Sequence, residues 1–541
     1  MNKCLLYFSF LAVGLFYSEG FGQVFESNLP IIKITTTAII VDEPKVEGLM
    51  EIINNEGKLN KSSDTTGLKY KIGVEYRGST SQSLTPKKPL GIETRNEKGD
   101  NLNVSLLGLP ADNDWVIITP YSDKTLIRDH LSYTFARQMN RYASRTKFVE
   151  LILNGRYYGV CFLGEKIKQG KERVNISKLK ATDIAGDDLT GGYILKIDKT
   201  SGSKSRSWNS AYLAPLKPPT FQIEYPKLED IKEEQFNYIR KYVNDFESRL
   251  QSNDFKDPEK GYAKVADIDS FVDFFLVNEL TRNVDGYRLS TFFYKDKDSK
   301  NGKLTMGPVW DFNLAFGNAN YCEGWNISGW AYRFNEVCPN DPANGVPFWW
   351  EKLLRDESFQ AKLKKRWKEL RNGSLSNENI FFQFDSSTNL LEEAQLRNFN
   401  EWPILGRYVW PNNYVGITYN DEISYAKKWI TDRLVWMDAS AVLNSDLLAE
   451  EAIKVDIEKP FIYPNPMASQ SKISFGTTKK QFVEATIKDI SGKTVYTILK
   501  QYLDIGAFEF TFERNNLPSG MYFFSLEKDH KTAYYQKIIL N

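Results

Sequence analysis

The chain has only two histidines, His130 and His530, 400 positions apart. A histidine-built zinc cage or an HExxH helix needs two imidazoles in one site. Catalysis here therefore falls to carboxylates, lysines and a hard cation. The carboxylates best placed for it are Asp285 and Asp311. An almost wholly apolar segment, 268–280 (IDSFVDFFLVNEL), reads as a buried helix. It ends in the polar loop Arg282-Asn283-Val284-Asp285-Gly286-Tyr287-Arg288. Strand-like text at 290–295, a charged turn at 296–303 and a strand at 304–309 then lead to Trp310-Asp311-Phe312-Asn313. A hairpin folds the chain back on itself, so both aspartates can face one cleft. Such a pair suits phosphoryl transfer from a magnesium nucleotide: one carboxylate aligns or deprotonates the acceptor hydroxyl, the other holds the cation. The same residues also fit plain caps, Asp285 of a turn and Asp311 of the next helix. A general acid and base acting on a glycoside is a third reading.

The elements that must position this pair alternate between strand and helix. Strands at 31–40 and 70–76 lead into Arg77-Gly78-Ser79-Thr80-Ser81, then Pro86-Lys87-Lys88-Pro89. The spacing of Ile127, Leu131, Phe135 and Met139 predicts a helix over 122–139 with Ser122 or Asp123 as cap. Asn154-Gly155 joins strands 148–153 and 158–163 in a tight hairpin, which delivers Glu165 and Lys166. A strand at 192–197 carries Lys196, and a helix spans 228–250. Lys88, Lys166 and Lys196 are the candidate charge partners for phosphate. Arg77 and Arg288 could clamp its oxygens bidentately. Apolar helix, polar loop, hairpin and Asp-Phe follow the order of catalytic parts in protein kinases, without a preceding Walker A or GxGxxG motif.

With 541 residues, 41% hydrophobic and 26% charged, the chain is long enough for several packed units. A net charge of +1 gives no field that would draw it to nucleic acid. Lys3 and the apolar run 5–16 predict a signal peptide over 1–23 that takes Cys4 with it. No later run is long enough for an integral membrane segment. An oxidising compartment would pair Cys322 with Cys338 across a Gly/Trp/Asn-rich loop and leave Cys161 as core. Dense rings at 321–330 (YCEGWNISGW), Phe348-Trp349-Trp350 and Trp367 give a rival reading, an adhesin that binds glycan or protein on a catalytically degenerate scaffold. After an acidic helix-like stretch at 447–457, six short alternating strands between 472 and 540 predict a small β-sandwich.

Two resemblances add to this. Tyr463-Pro464-Asn465-Pro466, Ile490-Ser491-Gly492-Lys493, Leu517-Pro518-Ser519-Gly520-Met521-Tyr522 and Lys537-Ile538-Ile539-Leu540 resemble the type A sorting domain of the type IX secretion system over about 461–541. That implies a Bacteroidetes-type bacterium, passage through the periplasm with the type IX machinery as partner, and release or attachment at the cell surface.

Residues from about 70 to 375 resemble the CotH family of atypical secreted protein kinases. The resemblance is carried by Arg77-Gly78-Ser79-Thr80 with Lys87-Lys88, and by Asp123 with Arg128-Asp129. It continues through 153–160 (LNGRYYGV) into Glu165, then Asn283-Val284-Asp285 and 308–313 (PVWDFN). It implies a two-lobed α+β kinase-like domain over 24–457, with 24–65 as a strand-rich extension and the sorting domain at 458–541. It further implies ATP and Mg²⁺ or Mn²⁺ as cofactors, a protein phosphoacceptor, Asp285 as catalytic residue and Asp311 as metal ligand. Lys88, Lys166, Arg77 and Glu165 fall to the nucleotide. Kinases carry a metal-binding Asn five residues after the catalytic Asp, where this chain has Ser290. Ser290 and Asn313 are the candidates to complete the metal site, with Asn283 a further amide.

Overall fold

The computed structural model describes residues 24–200, 205–212, 217–444, 460–463, 467, 469–477, 479–503, 506–515, 517–529 and 531–540. The signal peptide, Cys4, the 447–457 stretch, the 457/458 boundary and Pro464-Asn465-Pro466 lie outside the described residues. Contacts divide the chain into two units, 1–436 and 437–541.

In the first unit, period-two alternation builds a closed seven-stranded barrel. Its order is Ile31–Thr36, Val46–Ile53, Lys69–Tyr76, Leu90–Arg95, Asp114–Ile118, Arg156–Glu165 and Thr146–Leu153. Neighbours are antiparallel except at the closure, where Ile31–Thr36 runs parallel to Thr146–Leu153. Alternate side chains fill the interior, among them Ile32, Ile34, Met50, Ile72, Val74, Ile92, Trp115, Val149 and Cys161. Cys161 is thus core, a buried free thiol. The segment 24–65 supplies two barrel strands, so here it is part of the wall. Asn154 and Gly155 both take positive φ, as a tight hairpin requires.

A second, five-stranded antiparallel sheet runs Ser207–Asn209, Thr220–Tyr225, Tyr193–Ile197, Thr291–Lys295 and Thr305–Met306. The strand expected over 304–309 stops early, because Pro308 has no N–H for the ladder. Helices Glu233–Gln251 and Ile268–Thr281 belong with this sheet. Glu233–Gln251 starts later than expected, where the Gln235 side chain accepts the Lys232 N–H at 3.0 Å and closes the first turn. Ile268–Thr281 is buried on nearly every face, as its composition predicts. Phe246 and Phe271 pack against Trp349, and Phe271 and Phe274 against Trp350. Phe348-Trp349-Trp350 and Trp367 therefore supply core rings, Trp349, Trp350 and Trp367 all buried.

The predicted helix 122–139 begins only at Arg128 and runs to Gln138. Leu126 has φ 61°, which breaks the first turns, and Asp123 folds back so that its carboxylate accepts the Arg128 N–H at 2.9 Å. The expected apolar stripe still points inward, with Ile127, Leu131, Phe135 and Met139 all buried.

In the second unit, strands of three and four form two antiparallel sheets, Phe461–Tyr463 with Gln470–Thr477 and Gly506–Glu513, and Gln481–Lys488 between Thr494–Leu503 and Gly520–Lys528, the latter edged by Lys531–Leu540. Ile473, Phe475, Val483, Ile487, Phe512 and Phe524 share one core between them. Among the described residues no helix is long and apolar enough to cross a membrane.

Candidate functional site

The buried helix Ile268–Thr281 ends at Arg282, whose φ of 46° turns the chain sharply. Arg282 is locked there by hydrogen bonds from its guanidinium to the Glu323 and Ser328 carbonyls. Asp285 follows in the loop. Its carboxylate accepts Arg288 Nη2 at 3.1 Å, and Arg288, itself buried, also reaches Asp341 at 3.1 Å. Arg288 is thereby committed to carboxylates rather than free to clamp phosphate.

Asp311 arrives after the irregular segment that follows Met306, with φ 67°. Tyr287, Ser290 and Asp311 all take positive φ, a concentration of backbone strain typical of functional sites. Several groups hold Asp311. Its N–H donates to Tyr133 Oη at 3.2 Å, and the next N–H, of Phe312, donates to Asp129 Oδ1 at 2.6 Å. Burial, then the Asp311 charge, pushes the Asp129 carboxyl up to about 7. Asn283 joins the two loops: its Nδ2 donates to the Asp311 carbonyl at 3.1 Å, and its Oδ1 accepts the Asp285 N–H at 3.2 Å. With both ends of its amide used, Asn283 is a brace rather than a metal ligand. Ser290 Oγ donates to Asp311 Oδ2 at 3.2 Å. Asp285, Ser290 and Asp311 thus meet in one place. Asn313 is half-buried two residues on, and its carbonyl accepts Asn318 Nδ2 at 2.8 Å, with no side-chain hydrogen bond to its amide among the described residues.

Burial pushes the Asp311 carboxyl up to about 6, with Asp285 and then Asp198 adding repulsion. Asp198 does not stand out in the sequence; it lies one residue past the strand Tyr193–Ile197. Burial also raises its pKa. The ligand atoms available here are carboxylate, hydroxyl and amide oxygens, a hard set that suits Mg²⁺ or Mn²⁺ and not a soft metal. Carboxylates crowded in a dry site are what a divalent cation would relieve, so the donor set fits one. The Asp198, Asp285 and Asp311 oxygens do not all lie within 4.8 Å of one another, so the trio is no ready-made cage and divides between roles.

Of the cationic side chains beside the barrel, Arg77 faces these acids, with Asp311 among the charges acting on it. Arg77 lies over the Trp310 ring at 5.3 Å; burial lowers its pKa, while Glu224, Tyr133, Glu75 and Asp311 oppose the shift. Burial likewise lowers the Lys166 pKa, with Asp114, Glu224 and Arg77 among its charged surroundings. No ion pair or hydrogen bond ties the Lys166 ammonium among the described residues. Lys196 pairs with Glu224 at 3.0 Å; burial lowers its pKa, but Glu224 and Asp198 together more than offset this and leave it raised. Lys199, also silent in the sequence, reaches from the sheet to Thr80 Oγ1 at 3.1 Å.

Two other candidates go elsewhere. Lys88 lies over the Tyr76 ring at 4.9 Å. Glu165 is fully buried between Arg145 and Arg173, with its carboxylate accepting Arg145 Nε at 2.8 Å. Strand alternation explains the split, since Glu165 and Lys166 are neighbours that point to opposite sides. Cys322 and Cys338 form a disulfide, as expected, with 5.2 Å between their Cα atoms. Tyr321, beside it, has its hydroxyl pKa raised by burial and then by Asp285, which places its ring at the same site. It stacks on Trp410 at 5.9 Å.

An oxygen-donor acid cluster with the Arg77 guanidinium beside it has the chemistry to take a hard cation and a polyanion. The chain belongs to the CotH kinase protein family, whose profile matches residues 74–437. Residues 461–541 match the secretion system C-terminal sorting domain. A chain carrying that domain is exported, to be secreted or attached at the cell surface, with the secretion machinery as its partner. No curated protein sequence matches the chain. Among solved structures, Pseudomonas fluorescens alkylpurine DNA glycosylase AlkC bound to DNA containing an abasic site analog is similar at 9% identity and a TM-score of 0.13. The match covers 41% of this chain and 65% of that one, less than two thirds of its length, and a score so low carries no argument.

Proposed function

We propose that this protein is an exported atypical kinase that transfers the γ-phosphoryl group of ATP to a hydroxyl of a protein acceptor. The observation that carries this is the meeting of Asp285, Ser290 and Asp311, braced by Asn283 and faced by Arg77, with Lys166 among the charges around Arg77. In this reading the barrel and the five-stranded sheet with its helices are two lobes, and ATP lies between them.

Asp311 would hold Mg²⁺ or Mn²⁺, with Ser290 beside it; when bound, the ion neutralises phosphate charge and orients the transferring group. Arg77 and Lys166, both poorly solvated, bind the phosphate oxygens, which supply the negative charge these side chains lack at close range. Asp285 accepts the proton of the acceptor hydroxyl as its oxygen attacks phosphorus, while ADP leaves carrying the bridging oxygen. Arg288 keeps Asp285 aimed. Tyr321 and Trp410 bound the side from which the acceptor enters.

The test is thermal melting of the full chain with and without ATP, each in Mg²⁺, Mn²⁺ and EDTA. A ligand that binds only the native state raises stability by about 2.7 kcal/mol at a hundredfold excess over Kd. The expected result is an upward shift in either metal that is lost in EDTA and in Asp311→Ala. No shift under any condition would overturn the reading in favour of a binding protein that uses the exposed rings Trp325, Tyr408 and Trp410.

A further inference from the structure

Strand register puts Asp198 opposite Ser290. Ile197 pairs with Thr291 in an antiparallel ladder, so the next two residues outward, Asp198 and Ser290, face each other at its open end. The Ser290 hydroxyl donates to Asp311 Oδ2 at 3.2 Å, while the Ser290 backbone stands across the ladder from Asp198. One residue thus lies next to both acids, with its backbone towards one and its side chain on the other.

Asp198 is also fixed from behind. Its carbonyl accepts Gln222 Nε2 at 2.8 Å and Asn344 Nδ2 at 3.0 Å. The Asn344 carbonyl accepts Arg288 Nη1 at 3.3 Å, and Arg288 Nη2 reaches Asp285 Oδ1 at 3.1 Å. A single buried network therefore sets the positions of Asp198 and Asp285. Their carboxylates differ in what they face. Asp285 has an oxygen committed to a guanidinium. Asp198 accepts the Lys199 backbone N–H at 2.8 Å; the Lys196 and Lys199 charges act on it electrostatically, but no ion pair ties its oxygens among the described residues. A carboxylate oriented by a backbone donor, with lone pairs left over and no ion pair tying them, is placed to ligate a metal.

We propose that Asp198 is the second carboxylate ligand of the cation held by Asp311, in place of the amide ligand that Ser290 cannot supply. This rests on the kinase reading above and adds one ligand to it. Two carboxylates neutralise a divalent ion, and the Ser290 hydroxyl, which orients Asp311, adds no charge.

The experiment is a Mn²⁺ titration of the full chain followed by electron paramagnetic resonance, with and without ATP, on the unmodified chain, Asp198→Asn, Asp198→Glu and Asp311→Asn. Asp198→Asn keeps the shape and the oxygen for Lys199 N but loses the charge. Asp198→Glu keeps the charge and changes the shape. Melting in EDTA checks that each variant folds. If Asp198 is a ligand, Asn weakens Mn²⁺ binding about tenfold or more, while Glu retains much of it. If Asn binds like the unmodified chain and Glu does not, Asp198 only positions Ser290 and the proposal falls. It falls equally if both bind normally while Asp311→Asn does not, and the kinase reading then survives. Absence of Mn²⁺ binding by the unmodified chain, with or without ATP, would overturn the kinase reading itself.

Discussion

Ser290 Oγ donates to Asp311 Oδ2 across 3.2 Å, joining the residue five positions after Asp285 to the aspartate beyond the hairpin. Ser290 sits at φ 46°, a left-handed conformation that Asn tolerates and Ala resists. Ser290→Asn therefore folds, and its amide still donates to Asp311. Ser290→Ala loses the bond and keeps the backbone strain that Ser290 already carries. Calorimetric titration with ATP and Mg²⁺ is expected to show affinity nearly kept in Asn and weakened about tenfold in Ala, the worth of one hydrogen bond to a charged group. Equal affinity in all three proteins would remove Ser290 from the site.

Asp285 and Asp311 should fail in different ways. Asp285→Asn leaves Arg288 its Asp341 partner, so the loop holds. It is expected to keep the ATP-and-metal melting shift while slowing phosphate transfer by about 10²–10⁴-fold. Asp311→Asn is expected to lose both. Matching mild losses in the two variants would instead mark both aspartates as turn caps.

Much of this site is legible in the sequence because its carriers are local. A helix apolar on all faces, a polar loop and a Trp-Asp-Phe turn announce themselves through composition and spacing, and Asp285, Ser290 and Asp311 do come together. What stays hidden depends on register and on distant pairing. Asp198 looks like any residue ending a strand until Ile197 is known to pair with Thr291. Lys199 finds Thr80 only once barrel and sheet are placed side by side. Glu165 and Lys88 belong to the right segments, but face direction sends Glu165 to Arg145 and Lys88 to Tyr76. Barrel closure is equally illegible, because the strand Ile31–Thr36 pairs in parallel with one more than a hundred residues away.

The Cys322–Cys338 disulfide ties together two segments that both touch the Asp285 loop. Tyr321 precedes one cysteine, and Asp341, which holds Arg288 at 3.1 Å, follows the other. Closing a loop of this length is worth roughly 3 kcal/mol in the chain-entropy model. Reduction, or the double variant Cys322→Ser with Cys338→Ser, is therefore expected to lower the melting temperature and to slow transfer more than it weakens ATP binding. Unchanged transfer in the reduced protein would detach this loop from the site.

Lys87 offers a test of the scaffold away from the cation site. It is fully buried, and its ammonium donates to the Val160 carbonyl at 2.6 Å and to Asn398 Oδ1 at 2.8 Å, pinning the helix Ala394–Glu401 to the barrel. Gly159 makes room for this link: at φ 102° an added Cβ would lie 2.5 Å from Asn398 Oδ1 and 3.0 Å from Lys87 Nζ. Burial pulls the Lys87 pKa down to about 8 from the ordinary 10.5. Between those values the unfolded chain holds a proton that the folded chain has released, so stability from this group rises with pH. It is complete above 10.5 and lost as pH falls through 8. Lys87→Met removes both the donor and the titration. Measured by urea unfolding, the unmodified chain should outlast it at every pH, by a margin that widens on the order of 1–3 kcal/mol from pH 7 to 10. A margin flat across that range would show that Lys87 keeps its ordinary pKa and that its neighbours solvate the charge fully.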